Sequence, residues 1–158
     1  MRELTLSGRP GIGRIDRERL RRLIRVLIED LLGRDQYELG IRLVTGDEME
    51  GLNRRFLNHA GPTDVLSFAY GNPSSDTGLQ GDVVICVEEA VRQSRQHDST
   101  WQAELVRYLV HGVLHLVGYL DGTPAERRVM KREEERLLDQ LARRFPLSKL
   151  GGKSRLNA

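Results

Sequence analysis

The chain has 158 residues, 39% apolar and 30% charged, which suits one globular domain with a real core and excludes a disordered or fibrous chain. No apolar run is long enough to cross a bilayer, the opening M-R-E-L-T-L-S-G-R-P has no apolar signal-type segment, and a single cysteine, Cys86, allows no internal disulfide. A cytoplasmic protein is the expectation. The net charge of +2 hides an uneven spread, with eight arginines against Glu3, Asp16 and Glu18 in residues 1–25 and five cations without an acid in 141–158. Basic ends around an acidic middle suit a polyanion gripped at the edges and a cation held centrally; they equally suit arginines on solvated helix faces.

Residues 3–7 alternate as a short strand, and the glycines and proline of 8–13 make a loop. Asp16 can cap a helix whose apolar positions, Leu20, Leu23, Ile24, Leu27, Ile28 and Leu31, recur at helical spacing until Gly33. A strand over 38–44 precedes a capping box, Thr45 with Glu48, that opens a helix to about Asn58. P-T-D-V-L-S-F (62–68) and G-D-V-V-I-C-V (81–87) read as two more strands separated by a loop. Residues 88–97 look helical, and Ser99 with Gln102 is expected to cap a helix running to about Val117. Thr123, Pro124 and Glu126 open a last helix reaching Ala142. These elements give an α+β class: a small mixed sheet of about four strands flanked by helices. Residues 1–147 read as one metallo-hydrolase-like domain, and 148–158 as a basic, disordered tail.

The helix over 100–117 is apolar almost all round, so it belongs at the centre of the fold. Glu104, Tyr108, His111 and His115 form its one polar stripe. Two imidazoles four residues apart can converge on one ion, which is the geometric content of H-x-x-x-H. Gly118 suits the left-handed turn that ends a helix, and Asp121, six residues after His115, is placed to return as a third ligand. The plainer alternative is a pair of satisfied core histidines. The position after the first histidine holds Gly112, where metallopeptidases of the H-E-x-x-H type carry their glutamate base. That gap argues against a peptidase and is compatible with a nuclease, since a metal can activate water and offset phosphate charge.

H-G-V-L-H-L-V-G-Y (111–119) resembles the signature of the YbeY family, metal-dependent endoribonucleases of ribosomal RNA maturation. The resemblance extends in order to L-N-R-R-F (52–56), P-T-D-V-L-S-F (62–68) and G-D-V-V-I (81–85), over roughly residues 40–135. It implies an α+β fold with one divalent ion, zinc, in a cleft, and cleavage of single-stranded RNA in 16S rRNA maturation and ribosome quality control. The partners it implies are the 16S precursor, the small ribosomal subunit and its assembly factors, with no membrane and no DNA. His111 and His115 match the first two metal ligands. The family's third histidine falls on Asp121, whose carboxylate could tilt metal preference toward a harder ion such as manganese.

A second departure is Leu57, where the family usually has arginine; Arg55 is the nearby candidate for that catalytic assistance. Asp64 and Asp82 match family aspartates and are expected either to support a histidine ring, to contact a partner, or simply to cap a strand start. Thr63 and Ser67 would line the cleft on the functional reading. Met130 and Cys86 read as core, and His59 and His97 as exposed residues without a role. Two alternatives stay open: a non-catalytic ribosome-assembly factor with a structural metal, and a metallopeptidase whose base comes from elsewhere.

Overall fold

The computed structural model describes residues 1–9, 14–57, 65–70 and 78–151, apart from the side chains of Phe56 and Leu57. Four strands form one mixed sheet: β1 (Arg2–Gly8), β2 (Tyr37–Val44), β3 (Val65–Ala69) and β4 (Leu79–Cys86), in the order β1-β2-β4-β3. β1, β2 and β4 run parallel, and β3 closes one edge antiparallel to β4. Among the described residues five α-helices accompany the sheet: α1 (Arg17–Arg25), α2 (Gly46–Leu52), α3 (Val87–Gln96), α4 (Trp101–Leu116) and α5 (Pro124–Arg144). α1 and α2 each run on into a wider π-helical turn, Val26–Leu31 and Asn53–Leu57.

The alternation of β2 sets the layering. Tyr37, Leu39, Ile41 and Leu43 are buried on one face, while Glu38 and Arg42 point to the other. The first face packs on α1 and α4 and joins the main core, which takes in Leu20, Leu23, Ile24, Leu105, Leu109 and Val113. A smaller cluster of Val44, Met49, Leu66, Val84 and Cys86 lies on the opposite face beneath α2. Burial pushes the Cys86 thiol upward, as suits an inert core residue rather than a nucleophile.

α4 approaches the sheet closely at Gly112. A Cβ there would lie 2.5 Å from Val83 Cγ1 and 3.1 Å from Val65 Cγ2, and the Ser67 hydroxyl donates to the Gly112 carbonyl at 2.9 Å. A glycine is what lets the helix backbone rest on these β-branched side chains. The missing glutamate of H-E-x-x-H therefore has a packing cause: position 112 faces the sheet.

Three sequence expectations shift. The cap of α4 is Thr100, which accepts from Ala103 N at 3.1 Å, while Ser99 donates to Glu104 Oε1 at 2.8 Å and Gln102 reaches Ser148 O at 3.5 Å. Ser99 thus bonds locally at the start of α4 and Gln102 reaches the C-terminal stretch, and neither forms the cap. α5 runs to Arg144, two residues beyond the expected end. The stretch from Ser148 is not a tail at its start: Leu147–Leu150 forms a 3₁₀ turn, Leu150 is buried, its carbonyl accepts from Asp16 N at 2.8 Å, and Gly151 bridges Ile15. The basic composition of 141–158 concealed an apolar pair, Leu147 and Leu150, that packs against the core. Residues 152–158 lie outside the described residues.

A candidate metal centre

The last turn of α4 and the loop after it bring three side chains together. Val117 caps the C-terminus of α4, and Gly118 takes a left-handed φ of 107°. Gly118 N donates to His115 O at 3.1 Å and Tyr119 N to Leu114 O at 3.0 Å, the paired bonds of a glycine-terminated helix. The reversal carries Asp121 back over the histidine face. Thr123 then caps α5 with Glu126 reciprocating, and Arg127 Nη1 donates to the Asp121 carbonyl at 3.3 Å, pinning the loop from the far side.

His115 Nε2 lies 3.1 Å from His111 Nε2 and 3.1 Å from Asp121 Oδ2, and His111 Nε2 lies 3.3 Å from Asp121 Oδ2. Ligands bound about 2.0–2.1 Å from a tetrahedral ion stand about 3.3 Å apart, so this triangle has nearly the edges such a site needs. Two nitrogens and a carboxylate oxygen form a donor set that zinc accepts, with a fourth position left for water or substrate. The arrangement can hold a metal ion.

The outer ring atoms of the histidines are also occupied. His111 Nδ1 is 2.6 Å from Glu134 Oε2, and His115 Nδ1 is 3.0 Å from the Tyr119 carbonyl. A backbone carbonyl cannot donate, so the neutral form of His115 carries its proton on Nδ1 and turns a bare Nε2 toward His111 and Asp121. The side chains of His111 and His115 are 25% and 28% exposed and that of Asp121 is 43% exposed, which makes the centre reachable from solvent.

The other sequence candidates fall elsewhere. Arg55 is not brought to the trio: it lines a 720 Å³ cleft with Glu38, Gly40, Phe68 and Asp82 on the sheet face opposite α4. Asp82 shares this cleft, since its neighbour Val83 is the residue facing Gly112. Asp82 therefore does not support a histidine ring. Glu104 and Tyr108 continue the polar stripe of α4 but are buried. Ser67 meets the helix backbone rather than the ligands. His59, Thr63 and Asp64 lie outside the described residues, as does the side chain of Leu57. Sequence reading missed Glu134, which sits in the run E-E-E (133–135) and looks like one more solvated acid. Its signal was the spacing Met130, Glu134, Leu137, Leu141, the buried stripe of α5.

Burial without a partner among the described residues raises the Asp82 carboxyl above its usual range. A raised folded-state pKa means the protonated acid is the form the fold prefers, so this group's contribution is lost as pH rises through its unfolded and then its folded pKa. Asp82→Asn should consequently raise the melting temperature at neutral pH, with the gain vanishing at pH values below the unfolded carboxyl pKa. Calorimetry across that range checks it, and a variant less stable at neutral pH would contradict it. At the metal centre, Asp121→Ala should weaken zinc binding while Asp121→His retains it, measured by chelator competition; equal affinity in Asp121→Ala would remove Asp121 from the ligand set.

The family model described as Endoribonuclease YbeY matches residues 12–142. The chain is 40% identical over 139 residues to the Endoribonuclease YbeY of Thermobifida fusca (strain YX), covering 84% of this chain and 87% of that protein. It is 34% identical over 143 residues to the protein of the same name from Frankia alni, covering 84% and 79%. Against that of Anaeromyxobacter dehalogenans (strain 2CP-C) it is 44% identical over 106 residues, 67% of this chain and about half, 55%, of that relative. In fold it is similar to the solution structure of TM1509 from Thermotoga maritima, with a TM-score of 0.62, 22% identity and 89% of each chain covered. With the two histidines on its central helix and a mixed four-stranded sheet behind them, the chain belongs to the endoribonuclease YbeY family.

Proposed function

We propose that this chain cuts single-stranded RNA with the help of one divalent ion, zinc, held by His111, His115 and Asp121, and that it does so in the cytoplasm in 16S rRNA maturation and ribosome quality control, together with the small ribosomal subunit and its assembly factors. One observation carries the reading: a chain of an endoribonuclease family brings three ligand atoms to separations of 3.1–3.3 Å. A bound ion there supplies Lewis acidity at a phosphoryl oxygen and makes water a stronger acid. His111 and His115 present unprotonated Nε2 atoms, and Asp121 adds negative charge that favours a cation over a neutral ligand.

The chain also offers a route for the RNA backbone. Arg128, Lys131 and Arg132 are exposed on the first turns of α5, just past the Asp121 loop, and carry no ion pair among the described residues. Contacts from such side chains hold phosphates without reading sequence, so weak sequence preference is expected. In the described residues no helix is long and apolar enough to cross a membrane. The metallopeptidase alternative is disfavoured because the position of its base is packed against Val83 and Val65. The non-catalytic alternative is disfavoured by the endoribonuclease relatives.

The test is cleavage of a labelled oligoribonucleotide, free and annealed to its complement, by the zinc-loaded protein. The free strand should be cut and the duplex spared, with chelation stopping the reaction and zinc restoring it. Equal cutting of the duplex would overturn the single-strand preference, and no cutting of any RNA would overturn the activity.

A further inference from the structure

We propose that Glu134 is the positioning residue of His111: its buried carboxylate fixes which ring nitrogen carries the proton and so aims His111 Nε2 at the centre. The inference rests on the reading of His111 as a ligand and goes beyond it to the residue that makes it one.

Glu134 Oε2 lies 2.6 Å from His111 Nδ1, a length typical of a charge-assisted bond. The carboxylate is an acceptor, so the ring donates from Nδ1, leaving Nε2 to face His115 Nε2 at 3.1 Å and Asp121 Oδ2 at 3.3 Å. A histidine without such a partner favours the proton on Nε2, and here that hydrogen would occupy the place of an ion. Glu134 is 8% exposed, at the contact of α4 with α5. A buried acid of this kind needs compensating charge. Arg107, one turn before His111, brings positive charge to this contact, with Nε 4.0 Å from Glu104 Oε2 and Nη1 donating to Glu135 Oε1 at 2.6 Å.

The two histidines are thus held unequally. His115 leans on the neutral carbonyl of Tyr119, while His111 leans on a carboxylate that makes its ring the more basic donor. Substitution of Glu134 should disturb His111 alone, and that asymmetry separates positioning from general destabilisation.

The test uses the full chain as wild type, Glu134→Gln, and Glu134→Met, which fills the buried space without an acceptor. Long-range nitrogen–proton NMR of the metal-free protein, at a pH where the rings are neutral, reads the tautomer of each histidine. Chelator competition reads zinc affinity, and the melting temperature reports folding. Wild type should show both rings protonated on Nδ1. In Glu134→Met, His111 should move to the Nε2-protonated form while His115 stays, with zinc bound about 10–100-fold more weakly. Glu134→Gln, whose amide oxygen still accepts, should restore the His111 tautomer and part of the affinity. An unchanged His111 tautomer in Glu134→Met, or wild-type affinity in that variant, would overturn the proposal. Failure of the wild type to bind zinc would instead overturn the metal reading, while the tautomer of His111 would still decide the role of Glu134. Should Glu134→Met not fold, the comparison falls to Glu134→Gln, where a His111 ring protonated on Nε2 would overturn the proposal.

Discussion

Replacing His115 with alanine is expected to abolish zinc binding and, with it, cleavage of single-stranded RNA, while leaving the fold in place. The side chain is 28% exposed and lies on the rim of α4, so its removal opens no large cavity in the core. Alanine also suits a helix interior better than histidine does. What is lost is the vertex of the ligand triangle closest to both others, at 3.1 Å from each. Loss of an outer partner of a metal ligand weakens binding by about 10–100-fold, so loss of a ligand itself should exceed that range. Chelator competition, RNA cleavage and the melting temperature of the variant check the three parts. A folded His115→Ala protein that still binds zinc as tightly as wild type would remove His115 from the site.

The second large effect is on stability. Gly112→Glu would rebuild the H-E-x-x-H pattern in sequence, yet it should give a protein that folds poorly rather than a peptidase. The new Cβ meets Val83 Cγ1 at 2.5 Å, Val65 Cγ2 at 3.1 Å and Ser67 Oγ at 3.2 Å. Overpacking of this sort costs about 1–3 kcal/mol. A carboxylate forced between helix and sheet adds a penalty of several kcal/mol unless paired. The gain from replacing a helical glycine offsets only about 1 kcal/mol. At about 2–4 °C per kcal/mol for a domain of this size, the melting temperature should fall on the order of 10 °C or more. Gly112→Ala, with the clash but no charge, should lose less. Thermal unfolding of both variants beside wild type measures this, and an unchanged transition for Gly112→Glu would contradict the packing given for α4.

The metal centre and the helix–sheet contact were unequally legible in the sequence. His111 and His115 could be placed from spacing alone, because residues four apart on a helix share a face whatever the rest of the chain does. Gly118 and Asp121 followed, since a glycine-terminated helix reverses in a known way and the next few residues must return across its end. The strands and most of the helix caps were legible for the same reason: Asp16, Thr45 and Thr123 bind backbone within three residues of themselves.

Long-range contact is where legibility ended. Gly112 lacks a glutamate in the sequence, but only Val83 and Val65 across the interface explain why none could be there. Glu134 reaches His111 over 23 positions; its place in the buried stripe of α5 sets it apart from Glu133 and Glu135, but nothing local says which residue it meets. Arg55 stood close to the family's arginine in number, yet it lines a cleft on the sheet face away from α4. Leu150 was hidden by the charges around it, because its burial in the main core and the bond from Asp16 N to its carbonyl are tertiary events without a periodic signal.

The proposed chemistry depends on His111, His115 and Asp121 holding one ion. Anomalous diffraction from crystals of the zinc-loaded protein tests it most directly. The predicted result is one strong peak per chain, within about 2.0–2.2 Å of His111 Nε2, His115 Nε2 and an Asp121 oxygen. A peak elsewhere, or none at the trio in fully loaded protein, would contradict it.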